Sequence, residues 1–154
     1  MKKLEINLTF AILFMGYEVH IIRKKDYEDY DEESNITHEE FIALVERRPE
    51  LSWEAVGNDE DNSKREYCYW NSYPALENNN PPWLHYFHGE ISTKCTEDDC
   101  LKLWLELANE MGGQLRGDDG EQYDEAELER LKERRKEQSI PNIIINKKPF
   151  WKFW

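Results

Sequence analysis

One segment constrains this chain more than any other. Cys100, Leu103, Trp104 and Leu107 recur at helical spacing, and Leu101, Leu105, Ala108 and Met111 widen the stripe over much of the helix surface. A helix this apolar is stable only under cover, because packing supplies most of the stability of a helix in a folded protein. Thr96 is the expected N-cap. Asp98 and Asp99 suit the positive end of the helix, and Gly112-Gly113 provides a left-handed exit. The rest of the chain must therefore supply a second layer.

Most of that layer reads as strands. Residues 17–24 are rich in β-branched side chains and alternate in part. Residues 53–56 and 66–70 are two further strands around a polar turn at 57–62. Residues 83–87 and 90–95 form a hairpin about His88-Gly89. Gln114-Leu115-Arg116 is a short strand ending at the turn Gly117-Asp118-Asp119-Gly120. A second amphipathic helix opens at Thr37, where Glu40 completes a capping box. It carries Phe41, Leu44 and Val45 on one stripe and stops before Pro49. A third helix, over residues 124–138, has only Ala126, Leu128 and Leu131 as apolar residues. It is either a solvated helix held by charge pairs or a lightly docked appendage.

The element order β-α-β-β-β-β-α-β-α predicts an α+β fold: a mainly antiparallel sheet with two helices packed on one face, plus a charged C-terminal helix and an aromatic tail. The expected division is residues 1–14 as a start-site extension or extra strand, 15–124 as the α+β domain, and 125–154 as helix and tail. At the N-terminus, Lys2 and Lys3 precede an apolar run over residues 8–14. Three readings stand there: a start-site extension before Met15, an N-terminal strand, or an export signal. At the other end, Phe150, Trp151, Phe153 and Trp154 need apolar cover, with Lys147, Lys148 and Lys152 among them. The tail either folds back on the domain, docks a partner or anchors at a membrane interface. The net charge of −13 opposes the last, since anionic lipid repels it.

That charge also argues against nucleic-acid binding, which needs a basic footprint. The 13% aromatic content argues against an acidic disordered chain. The odd, sparse cysteines Cys68, Cys95 and Cys100 do not read as a disulfide framework, so reduced thiols in a cytoplasmic protein are expected.

Chemistry-bearing motifs are sparse. His85 and His88 are three apart on a strand pattern, which would aim their rings to opposite faces rather than at one metal. His20 and His38 have no cysteine or carboxylate at ligand spacing. Cys68, between Tyr67 and Tyr69, reads as core or sheet lining. No Gly-x-Ser-x-Gly elbow and no phosphate loop is present. Gly117-Asp118-Asp119-Gly120-Glu121 lacks the alternating carboxylates of a calcium loop and reads as a turn or a partner contact. No catalytic residue, metal ligand or cofactor is therefore assigned. The most pointed feature is the acidic segment 26–33. Tyr27 and Tyr30 are candidate anchors there, and Asp29, Asp31, Glu32 and Glu33 would steer a cationic partner, with Asp118 and Asp119 as further contacts.

From Met15 onward the chain resembles small acidic bacterial immunity-type proteins of polymorphic toxin systems. The resembling stretches are Gly16-Tyr17-Glu18-Val19-His20-Ile21-Ile22-Arg23-Lys24, the acidic segment, and Ile36-Thr37-His38-Glu39-Glu40-Phe41. They continue at Arg48-Pro49-Glu50-Leu51, Gly89, Gly112, Gly117-Asp118-Asp119-Gly120-Glu121-Gln122-Tyr123-Asp124 and Lys148-Pro149-Phe150-Trp151-Lys152-Phe153-Trp154. Residues 78–82 and the helix at 124–138 depart from the pattern. The resemblance implies a non-catalytic cytoplasmic protein that neutralises a cognate toxin domain; the net charge of −13 makes a basic toxin the expected partner, with neither nucleic acid nor membrane. No oligomeric state is assigned. Two other readings stand: a small enzyme or ligand-binding protein with a pocket near Cys68, His85 and His88, or an adaptor using the aromatic tail.

Overall fold

Among the described residues, seven strands form one antiparallel sheet in the order β2-β3-β4-β5-β1-β6-β7. The computed structural model describes residues 16–25, 32–53, 65–73 and 81–139. The strands are β1 (Val19–Ile22), β2 (Leu51–Trp53), β3 (Tyr67–Trp70), β4 (Trp83–Phe87), β5 (Glu90–Thr93), β6 (Gln114–Gly117) and β7 (Gln122–Tyr123). The helices are α1 (His38–Arg47), α2 (Asp98–Glu110) and α3 (Glu125–Ser139), and a 3-10 turn spans Glu32–Ser34. β7 is a strand that local pattern did not reveal. The expected strand at residues 53–56 begins earlier, at Leu51, and residues 54–56 lie outside the described residues. The N-terminal segment before Gly16 and the aromatic tail lie outside them too.

Strand alternation sorts the side chains. Val19 and Ile21 of β1, Leu115 of β6, Ile91 of β5, Leu84 of β4 and Cys68 of β3 all face one core. Phe41, Leu44 and Val45 of α1 and the broad stripe of α2 bury into the same core, as the stripes predicted. Each large side chain buried there contributes about 1.5–3 kcal/mol of transfer free energy. Trp104 is fully buried at the centre of this layer. Its Nε1 donates to the Cys95 carbonyl at 3.0 Å, and its ring meets Trp70 edge-on at 6.1 Å.

The capping box of α1 forms as expected. Thr37 Oγ1 accepts from Glu40 N–H, and the Glu40 carboxylate accepts from Thr37 N–H at 2.8 Å. Glu40 also takes Arg23 in a two-bond pair at 3.0 and 2.7 Å, which fastens α1 to the end of β1. The Arg23 guanidinium and the Thr37 amide hold the Glu40 carboxyl at about 2.

Two expectations are corrected here. The N-cap of α2 is Glu97, with no side-chain capping bond, so Thr96 does not cap it. That helix start is fastened differently, because Cys95 and Cys100 form a disulfide between the end of β5 and the first turn of α2. The expected reduced thiols therefore hold only at Cys68, which is free and buried. Spacing alone hid the pair. Helix α2 turns Cys100 back toward Cys95, bringing their Cα atoms to 6.0 Å.

α3 carries no fully buried residue. It docks through Leu128 and Leu131, which pack against the core, and through Arg135, which pairs with Asp98 and donates to the Thr96 carbonyl at 2.8 Å. Its own charge pairs run from Glu127 to Arg130 and Arg134. Both expected descriptions of this helix thus apply in part. Among the described residues no helix is long and apolar enough to cross a membrane.

Candidate functional site

The strand residues of opposite parity build the second face of the sheet, away from α1 and α2. Cross-strand pairing aligns Tyr67, His85, Ser92, His20, Arg116 and Gln122 in one row from β3 to β7. The row divides chemically into an aromatic half and a charged half.

The aromatic half is a ladder. Tyr67 stacks on His85 at 4.2 Å, His85 stacks on Phe87 at 5.9 Å, and Phe87 meets His88 edge-on at 4.0 Å. Trp83 closes the other end against Tyr67 at 5.8 Å. Phe87 is 56% exposed and Tyr67 37%, the two large hydrophobic residues most open to water among the described residues. An aromatic row left open on a sheet, where a helix could have covered it, is a feature that marks binding surfaces.

The charged half centres on His20. Its Nδ1 lies 3.4 Å from Glu90 Oε1, and its Nε2 lies 2.9 Å from Asp118 Oδ1. The Glu90 and Asp118 carboxylates outweigh the cost of burying the charged ring and raise its pKa to about 9. Burial works against ionising Asp118, but the Glu18 N–H at 2.7 Å and the His20 ring carry its pKa below the usual carboxylate range. An imidazole already protonated at neutral pH cannot accept a proton there, so His20 is unsuited to act as a general base.

The sign of the linkage follows directly. His20 holds its proton more tightly folded than unfolded, so its stabilisation is full below pH 6.5 and is lost as pH rises through about 9. Counting the exposure of the two carboxylates, the loss is about 1 kcal/mol. Urea melts at a series of pH values should show this decline, and His20→Gln should flatten it.

Of the candidate partner residues, Tyr27, Asp29, Tyr30 and Asp31 lie outside the described residues. Their flanks are placed. On one side, the Lys25 carbonyl accepts from Arg116 Nη2 at 2.6 Å. On the other, exposed Glu32 and Glu33 lead into Asn35 and Ile36, and Ile36 N–H donates to the Gly89 carbonyl at 2.9 Å. Gly89, at φ 87°, has room only for hydrogen, since a Cβ would stand 2.6 Å from Asn35 Cβ. The flank that follows the acidic segment therefore lies at the Gly89 hairpin beside Phe87 and His88, and the flank that precedes it lies against Arg116 of β6.

Asp118 and Asp119 are elsewhere. Their turn joins β6 to β7 beside Glu18, five residues along the chain from Arg23, or about 16 Å of strand. They do not share a patch with Glu32 and Glu33. Asp118 serves the fold by fastening the start of β1, while Asp119 is exposed.

Cys68 and His85 face opposite sides of the sheet. Cys68 pairs with Leu84 toward the core, and burial pushes its thiol up to about 12, whereas His85 lies on the outer ladder. His88 departs from the strand-parity expectation. It occupies the hairpin turn at φ 46°, and its ring joins the same ladder as His85 through Phe87. His38 Nε2 bonds the Arg65 carbonyl at 3.0 Å. Among the described residues, no group of three or more His, Cys, Asp or Glu is arranged to hold a metal ion.

Sequence reasoning missed Trp83, Phe87, Glu90, His20 and Arg116 as members of one surface. The available signal was alternation: Trp83, His85 and Phe87 share a parity, and His20 opposes Val19 and Ile21. No family model, curated protein or solved structure matches the chain.

Proposed function

We propose that this protein is a non-catalytic capture protein of the immunity type, which binds a basic toxin domain and covers its active site. The observation that carries this reading is the exposed Tyr67–His85–Phe87–His88 ladder, bordered by the flank that follows the acidic segment. Exposed aromatic side chains supply short-range affinity, while carboxylates accelerate encounter with a cation. Cys68 and His85 on opposite faces give the rival enzyme reading no shared pocket, and His20 is already protonated.

A cytoplasmic site of action was expected from reduced thiols. The Cys95–Cys100 disulfide takes away that support for two of the three cysteines.

The test begins at the neighbouring gene, which on this reading encodes a polymorphic toxin domain. Expressed alone it should arrest growth, and co-expression of this protein should restore growth through a complex that survives gel filtration. Association should slow by about tenfold or more when Asp29, Asp31, Glu32 and Glu33 are neutralised together, and by a similar factor at high salt. An arrest that co-expression leaves untouched would overturn the proposal. Full-speed capture by the quadruple variant would remove the acidic segment from it.

A further inference from the structure

The two ends of the Cys95–Cys100 disulfide differ. Cys100 sits in the first turn of α2 and is fully buried, whereas Cys95 is half-buried. Cys95 also lines an open cleft of ≈ 620 Å³, together with Pro82, Trp83, Lys94 and Glu97. A thiolate arriving from solvent therefore meets Cys95 first. Cys68 does not compete, because it is buried in the core and burial pushes its thiol up to about 12.

The buried end suits a leaving group. Thiol–disulfide exchange runs faster when the departing sulfur is stabilised as a thiolate, and the unpaired N–H groups of a first helical turn supply that stabilisation. Glu97, at the N-cap, makes no side-chain bond to those groups, so the cap does not compete with the sulfur for them. Arg135 pairs with Asp98 and so offsets one of the two acids in that turn.

The bond also sits at a junction. The Cys95 carbonyl accepts from Trp104 Nε1, and the Thr96 carbonyl accepts from Arg135 of α3 at 2.8 Å. Residues 95–100, which the bond closes into a loop, thus carry the polar anchor of α3, a helix without a fully buried residue.

We propose that the Cys95–Cys100 disulfide is a redox modification site: a dithiol reductant opens it by attack on Cys95 through the cleft, and opening it loosens the hold on α3. In the first step, one thiolate of the dithiol attacks Cys95 Sγ. A mixed disulfide forms, the Cys95–Cys100 bond breaks, and Cys100 leaves as a thiolate. In the second step, the other thiol of the reductant, as its thiolate, attacks its own partner sulfur in the mixed disulfide and releases Cys95. The two departing thiolates take up the two protons that the dithiol gave up. Two electrons pass to the protein, which gains two thiols, and the reductant leaves as its disulfide.

Dithiothreitol added to the folded, full-length protein tests this, with thiols counted by mass spectrometry after alkylation in denaturant. The rate should scale with dithiothreitol and stay within about twofold up to about 1 M urea, since attack on an open site needs no unfolding. Cys100→Ser and Cys95→Ser each leave one of the two thiols. With oxidised glutathione, Cys95 in the first variant should form a mixed disulfide at least about tenfold faster than Cys100 in the second, with Cys68 unmodified in both. Hydrogen exchange over Glu125–Ser139 should be at least about threefold faster in the reduced protein, while Val19–Ile22 keeps its protection. Three results would overturn the proposal: reduction that accelerates with urea in step with unfolding, faster modification at Cys100 than at Cys95, or exchange in α3 that reduction leaves unchanged. If the serine variants do not fold, the first and third results on the unmodified chain still decide it.

Discussion

Trp104→Ala should remove about 4 kcal/mol of stability, a large share of the 5–15 kcal/mol that a domain of this size possesses. The ring is fully buried between the sheet and α2, so its removal leaves a cavity that the surrounding disulfide and helix cannot close. The indole N–H also satisfies the Cys95 carbonyl, which would lose its bond. With a denaturant slope of about 2 kcal/mol per molar, the urea midpoint should fall by about 2 M. Trp104→Phe separates the two contributions. It keeps much of the ring volume but not the N–H, and should cost about 1–2 kcal/mol. A midpoint shift under about 0.5 M for the alanine variant would show that the core is centred elsewhere.

The second large effect concerns binding rather than folding. If the proposed capture function holds, Tyr67→Ala combined with Phe87→Ala should weaken binding by about a thousandfold, since truncated hot-spot aromatics commonly cost about 2 kcal/mol or more each. Stability should change by no more than about 0.5 kcal/mol per site, because both rings are partly open to water. The kinetics should divide by cause. Loss of the ladder should speed dissociation, whereas neutralising the acidic segment should slow association. Surface plasmon resonance at two salt concentrations reads both rates. Unchanged dissociation, accompanied by a lower melting temperature, would make the ladder a structural feature.

The three helices and six of the strands were legible, β2 only at its last residue, because their signals are local. The capping box at Thr37 and Glu40, the apolar stripe around Trp104 and the turn at His88-Gly89 need no distant partner to be read. β7 was not legible, since two residues carry too little pattern. The disulfide was missed because five residues of separation match no motif until a helix turn brings Cys100 back. The site was harder still. His20 meets Glu90 and Asp118 only because β1 lies between β5 and β6 in a particular register. Register is a property of pairs of strands far apart in sequence, so the charge cluster and the ladder emerge only once the sheet is assembled. The candidate acids Glu32 and Asp118 were grouped by composition, and the sheet separates them.

The two-residue β7 has a consequence for how this molecule behaves at high concentration. An outer strand with unpaired backbone groups is a template on which another chain can polymerise. Here the row stops after Gln122 and Tyr123, and α3 begins two residues later and packs beside it. An incoming strand would find almost no ladder to extend on that flank, so the protein can present an uncovered aromatic surface without offering that border as a seed for fibrils.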